Sequence, residues 1–182
     1  LALAGNPTIL ELLWLPMDHY DVLTDAGRAL LVNRRAFLSN QVRATYGGYA
    51  RQQAHKIVRR GGTFSSDLAK RTGKHGRHCA RLLLQGGHLL RTGEVLIRLD
   101  DEQASWCWEM GELAITLPGE FKAHIADAFA EFDSTPSALP DEPAAWDVEE
   151  AAAPAVTPLP EPIAAPLLEP APPPVADQGA EP

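Results

Sequence analysis

Residues 39–60 read SNQVRATYGGYARQQAHKIVRR. Val42, Tyr46, Tyr49, Ala50, Gln53 and Ile57 recur there at intervals of three and four. That spacing lines one face of a helix, and Arg43, Arg51, Arg59 and Arg60 fall largely off it. The reading is an amphipathic helix with a buried stripe and a cationic remainder. The short paired helices that flank it make the chain an all-α bundle of five or six helices with at most one short strand.

Towards the N-terminus, Asn6 followed by Pro7 starts a helix, because Asn6 caps free N–H groups and Pro7 at the first helical position forfeits no hydrogen bond. Ile9, Leu10, Leu12, Leu13 and Trp14 make this helix strongly apolar, and it stops before Pro16. Glu11 is the acid embedded in it, read either as a solvent-facing residue or as a partner for Lys74 or Arg81. A second helix is expected from Asp25, acting as cap, through Leu30, Leu31 and Val32 towards Phe37.

Towards the C-terminus, Gly61 and Gly62 end the third helix and a polar loop is expected to run to Gly73. A fourth helix then covers about Lys74 to Leu90, breaking around Gly86 and Gly87 or at Gly93. Glu94 to Leu99 forms a short extended segment, and two further helices occupy about Asp101 to Glu109 and Gly119 to Phe132. The folded unit is residues 1–133, an acidic ending spans 134–150, and 151–182 is a disordered Pro/Ala-rich tail. Thirteen of the sixteen prolines lie beyond Ser134, where too few large apolar residues remain to offset the entropy of ordering. That tail serves spacing or tethering.

The net charge of −8 conceals a division. Residues 1–98 hold 15 Lys and Arg against 6 acids, whereas residues 99–182 hold 1 against 18. Between Arg28 and Arg60 there are eight basic residues and no acidic one. A surface of that sign attracts nucleotide phosphates or nucleic acid. No apolar run reaches membrane-spanning length and no signal peptide is visible, which predicts a soluble, cytoplasmic protein. Leu1 opens an uncapped apolar run, so the chain reads as a fragment or truncated gene product. Cys79 and Cys107 lack any paired spacing and are expected as buried free thiols.

Two groups of residues carry the chemistry. Lys74, His78 and Arg81 stand at i, i+4 and i+7 and share a helix face on which one phosphate contacts all three. Lys74 is expected in the first turn, where outward N–H groups favour an anion. On the third helix, Tyr49, Gln52, Gln53 and Lys56 offer an aromatic ring for a base, amides for its edge and a cation; the competing reading puts Tyr49 and Gln53 inside the bundle. His75, His78 and Cys79 lack the fourth ligand that a zinc site needs, so no metal is assigned.

These blocks together, Gly5 to Leu12, Gly48 to Ala50 with Gln52, Gln53 and Lys56, Gly73 to His75 with His78, Arg81 and Leu82, and Leu90, Gly93, Glu94 and Arg98, resemble a predicted nucleotidyltransferase family of the DNA polymerase beta superfamily, tied to RNA repair. Leu139, Pro140 and Pro143 resemble that family's ending, so the resemblance spans about Leu1 to Asp147. It implies a two-part enzyme in which, on an N-terminal domain, a Gly-Ser turn cradles phosphates and an Asp-x-Asp pair holds two Mg ions that drive phosphoryl transfer. This chain resembles the helical half alone, with no catalytic residue and no Mg bound by it. Gly61 to Asp67 imitates the Gly-Ser motif, but Ala69 stands where the second acid is needed. By the same resemblance Lys74 and His78 face phosphate, Tyr49 and Gln52 face base or sugar, and Asn6 and Glu11 brace the hinge to the absent catalytic domain. The partners implied are a nucleoside triphosphate or RNA. The rival functions are a non-enzymatic nucleic-acid-binding module and an adaptor tethered by its tail.

Overall fold

In the computed structural model, which describes residues 4–59 and 66–144, the amphipathic stripe becomes α3, Gln41–Arg59. Val42, Tyr46, Ala50, Gln53 and Ile57 are buried along it, while Tyr49 is 38% exposed. The stripe therefore seats the helix in the core and leaves Tyr49 at its edge. The bundle is all-α: six helices, and no strand among the described residues.

α1 is Pro7–Leu13, with the Asn6 side chain accepting from the Ile9 N–H at 3.3 Å. α2 is Asp25–Val32, and its cap is Thr24 rather than Asp25. The Thr24 hydroxyl accepts from the Gly27 N–H at 3.1 Å, which leaves the Asp25 carboxylate in the first turn, where the helix dipole favours it. The helix does not continue to Phe37; Asn33 ends it and a separate 3₁₀ turn, Arg34–Phe37, follows.

The largest departure from expectation is α4. It begins at Ser66, not Lys74, and runs unbroken to Thr92. Gly73, Gly76 and Gly86 are interior to it because neighbouring atoms lie where side chains would be. A Cβ at Gly76 would stand 2.6 Å from the Met110 carbonyl oxygen, and one at Gly86 would stand 2.8 Å from Tyr46 and from Phe132. These glycines permit close approach of helices instead of breaking one. Termination comes at Gly93, whose φ of 72° is the left-handed conformation of a helix C-terminus.

α5, Asp101–Thr116, opens with a capping box in which Asp100 and Gln103 each satisfy the other's backbone N–H. α6, Pro118–Ser134, follows directly. Both run longer than their apolar stripes suggested. α4 is the central element and packs most extensively against α3 and α5. Glu94 to Leu99 passes over the core as an irregular segment, burying Val95.

After α6 the chain turns back across the bundle. The Ala138 N–H donates to the Leu90 carbonyl at 2.8 Å, Asn40 N–H to Pro140 at 2.7 Å, and Ala144 N–H to Ala36 at 3.0 Å. Leu139 packs on the core. The first part of the acidic ending is thus built into the fold. The Pro/Ala-rich tail and most of the segment from Gly61 to Asp67 lie outside the described residues.

Candidate nucleotide and RNA phosphate site

α4 being one unbroken helix, Lys74, His78 and Arg81 fall on one face, as their spacing requires. The expected placement of Lys74 in a first turn does not hold. It stands more than two turns into the helix, so free backbone N–H groups lend it nothing. Lys74 offers its ammonium alone.

Arg81 is the fixed member of the group. Its guanidinium donates to Glu11 of α1 at 2.9 Å, and the Gln85 amide donates to the same carboxylate oxygen at 2.8 Å and to the Leu96 carbonyl at 2.7 Å. Of the two partners considered for Glu11, Arg81 is the one it takes. Gln85 extends the line Lys74, His78, Arg81 by another turn, a periodicity that was available to sequence reading. Beneath the pair lie two buried polar atoms with no hydrogen-bond partner among the described residues, the Tyr46 hydroxyl and the Arg81 Nε. Burial pushes the Tyr46 phenol well above its usual range, the nearby Glu11 charge adds to this, and Arg81 opposes it.

His78 is exposed but closely surrounded. Desolvation by the crowding helices lowers its pKa, and Arg81, Lys56 and Lys74 reinforce this against Glu11. Those same interactions show that Lys56 of α3 shares the field of the α4 cations. Lys56 and Lys74 are exposed and make no ion pair among the described residues. Tyr49 sits at the α1 edge with its hydroxyl accepting from the Asn6 amide at 3.3 Å. Gln52 is exposed one turn from Lys56. Gln53 belongs instead to the interior, where its amide oxygen lies 2.7 Å from His75 Nδ1. So α1, α3 and α4 border a surface on which His78 feels the charges of Lys56, Lys74, Arg81 and Glu11, while Tyr49 and the exposed Gln52 stand within two turns of Lys56 on α3.

Much of the basic stretch before Arg60 has other duties. Arg43 donates to the Phe132, Asp133 and Thr135 carbonyls at the end of α6, at 2.9, 3.0 and 2.5 Å. Arg51 pairs with Asp133 at 2.6 Å and lies over the Phe129 ring. Arg35 pairs with Glu94, and Arg34 lies over Trp14 while donating to the Leu13 carbonyl. Among the described residues, Asp133 neutralises Arg51 and no acid of residues 99–144 forms an ion pair with a cation of α4. Cys79 and Cys107 are buried free thiols, burial pushing them up to about 12 and about 11.

A helical bundle with a cationic face built on its central helix is the class of protein these features define. The family model RlaP, RNA repair pathway DNA polymerase beta family, matches residues 1–126, and the chain belongs to that family. No curated protein and no solved structure matched the chain. The family implies Mg for active members. Among the described residues no three His, Cys, Asp or Glu side chains come together to hold a metal ion. Glu11, the carboxylate at the base of the face, is already engaged by Arg81 and Gln85. The described residues do not fit a Mg site. No described helix is long and apolar enough to cross a membrane.

Proposed function

We propose that the α1–α3–α4 face binds the phosphates of a nucleotide or of RNA for a nucleotidyltransferase whose catalytic carboxylates lie on a domain outside this chain. The observation that carries this reading is the alignment of Lys74, His78 and Arg81 on one face of an uninterrupted helix, joined by Lys56 from α3. Lys56 and Lys74 supply mobile point charges, whereas Arg81, steadied by Glu11, presents a guanidinium of set orientation. His78 is largely neutral at pH 7 because its pKa lies below the ordinary value, and it donates a hydrogen bond or takes up a proton when an anion arrives. Tyr49 and Gln52 stand at the edge where a base or sugar attached to that phosphate would lie. The contribution of this face is to hold and orient the phosphate.

The test is the Lys74→Ala, His78→Ala double variant of the full chain, titrated with a nucleoside triphosphate and with single-stranded RNA over a range of salt. Weakened binding with native helicity is expected, and the loss of one phosphate-neutralising ammonium lowers the salt slope by about one. Unchanged affinity with native helicity refutes the reading. An upstream reading frame without a Gly-Ser turn and an Asp-x-Asp pair would separately refute the divided enzyme.

A further inference from the structure

Beside the cationic face, on α5, an indole stands in the open. Trp108 is 59% exposed, although Trp106 two residues earlier packs partly against the core. The Arg77 guanidinium lies over the Trp108 ring, 4.2 Å from its centroid. Arg77 is held there by its stem, which passes through the space that a side chain at position 111 would occupy. A Cβ at Gly111 would come within 2.6 Å of Arg77 Cγ. Continuity with the phosphate face is direct. Arg77 is one residue from His78 and one turn from both Lys74 and Arg81 on α4. Arg81 in turn lowers the pKa of the Cys107 thiol, against the larger effect of burial, so its charge is felt beside Trp108.

We propose that Trp108 with Arg77 is a stacking platform for an unpaired base of RNA, whose backbone then runs along α4 past Lys74, His78 and Arg81. This deepens the phosphate-face reading and rests on it. An indole offers a π-face to any base, and a guanidinium laid on that indole adds charge for the adjoining phosphate. The cations along α4 fit a polyanion, which selects RNA over an apolar or basic protein partner. Inside a stacked duplex no base face is free and only the two terminal pairs offer one, so the platform favours a single strand or an overhang. A mononucleotide held at Lys74 and His78 does not need it. Trp108 is therefore a residue for acceptor recognition, distinct from those that hold a triphosphate.

The experiment compares the full chain with Trp108→Ala and Trp108→Tyr. Each is titrated with a labelled single-stranded RNA about twelve nucleotides long, with the blunt duplex of that strand, and with a nucleoside triphosphate. Trp108→Ala is expected to weaken single-strand binding by about five- to a hundredfold, the effect of removing one stacking aromatic. Trp108→Tyr retains most of the affinity, and neither variant changes duplex or triphosphate binding. The proposal is overturned if Trp108→Ala stays within about twofold of the parent on the single strand. It is equally overturned if single strand and duplex weaken alike, or if the parent binds no RNA at low salt. A loss in Trp108→Ala together with an unaffected Lys74→Ala, His78→Ala variant would sink the phosphate-face reading and with it the path proposed along α4, leaving a stacking contact alone; the reverse pattern would sink only the platform.

Discussion

Glu11 and Arg81 join α1 to α4 through a 2.9 Å contact between a carboxylate and a guanidinium that are each only partly exposed. Gln85 donates to the same carboxylate oxygen, so Glu11 is fixed from two successive turns of α4. The pair orients Arg81 but also offsets its charge at the surface assigned to phosphate. Glu11→Gln keeps an oxygen acceptor for Gln85 while removing the negative charge. Single-stranded RNA is then expected to bind about two- to fivefold tighter at low salt. The stability cost stays under about 1 kcal/mol, because a partly exposed pair contributes little net energy. Weaker binding in a titration of Glu11→Gln would show that orientation by the carboxylate outweighs its charge.

Tyr46 is 0% exposed, and its hydroxyl finds no partner among the described residues. A buried hydroxyl left unpaired is destabilising by about 1–3 kcal/mol relative to an apolar group of the same shape. Tyr46→Phe preserves the ring that meets Gly86 and removes only that oxygen. Stability in urea is expected to be unchanged or to rise by about 1 kcal/mol. A clear fall would mean that the hydroxyl has a bonded partner in solution.

Two glycines in helices should respond in opposite directions to the same substitution. At Gly48 nothing lies within 4 Å of a new Cβ, whereas at Gly86 Tyr46 Cβ and Phe132 Cε2 both lie at 2.8 Å. Gly48→Ala gains helix propensity and is expected to stabilise by about 0.5–1 kcal/mol. Gly86→Ala gains the same propensity but forces α4 away from α3 and α6, costing about 1–3 kcal/mol overall. Thermal melts of the two variants check this, and equal shifts would contradict the packing described.

Those glycines also explain which parts of the fold were legible in the sequence. Asn6 with Pro7 and the α3 stripe depend on near neighbours along the chain, and the structure bears both out except at Tyr49, which is exposed. The polar run up to Gly73 reads as a loop, whereas the helix starts at Ser66, because Gly73 is a point of close approach to α5 instead of a breaker. That contact depends on residues about 35 positions away, a separation that no local pattern encodes. The basic stretch from Arg28 to Arg60 was similarly half legible. Its sign was evident, but only the tertiary structure assigns Arg43 to the carbonyls ending α6 and Arg51 to Asp133. The spacing of Lys74, His78 and Arg81 needed a helix and nothing more, so their common face followed from sequence. Gln85 continues the same series, and the exposed Trp108 carries no periodic signal that separates it from Trp106.

Acidification should pull folding and RNA binding in opposite directions through His78. Desolvation first, then Arg81, with Lys56 and Lys74, lower its pKa beneath the ordinary 6.5, and only Glu11 opposes them. The unfolded chain therefore takes up this proton at higher pH than the folded one. Stability from this residue is complete above about 6.5 and declines as the pH falls towards the lower folded-state value. A bound phosphodiester reverses the balance by favouring the imidazolium, while its own charge does not change across this range. Affinity for single-stranded RNA is therefore expected to strengthen over the window in which stability declines. His78→Gln cannot titrate, so subtracting its urea stability and its RNA affinity from those of the parent, at about pH 7.5 and about pH 5.5, removes the contributions of the other histidines. Both differences are expected to depend on pH with opposite signs. If the RNA difference is flat while the stability difference slopes, His78 is desolvated as described but does not face the phosphate.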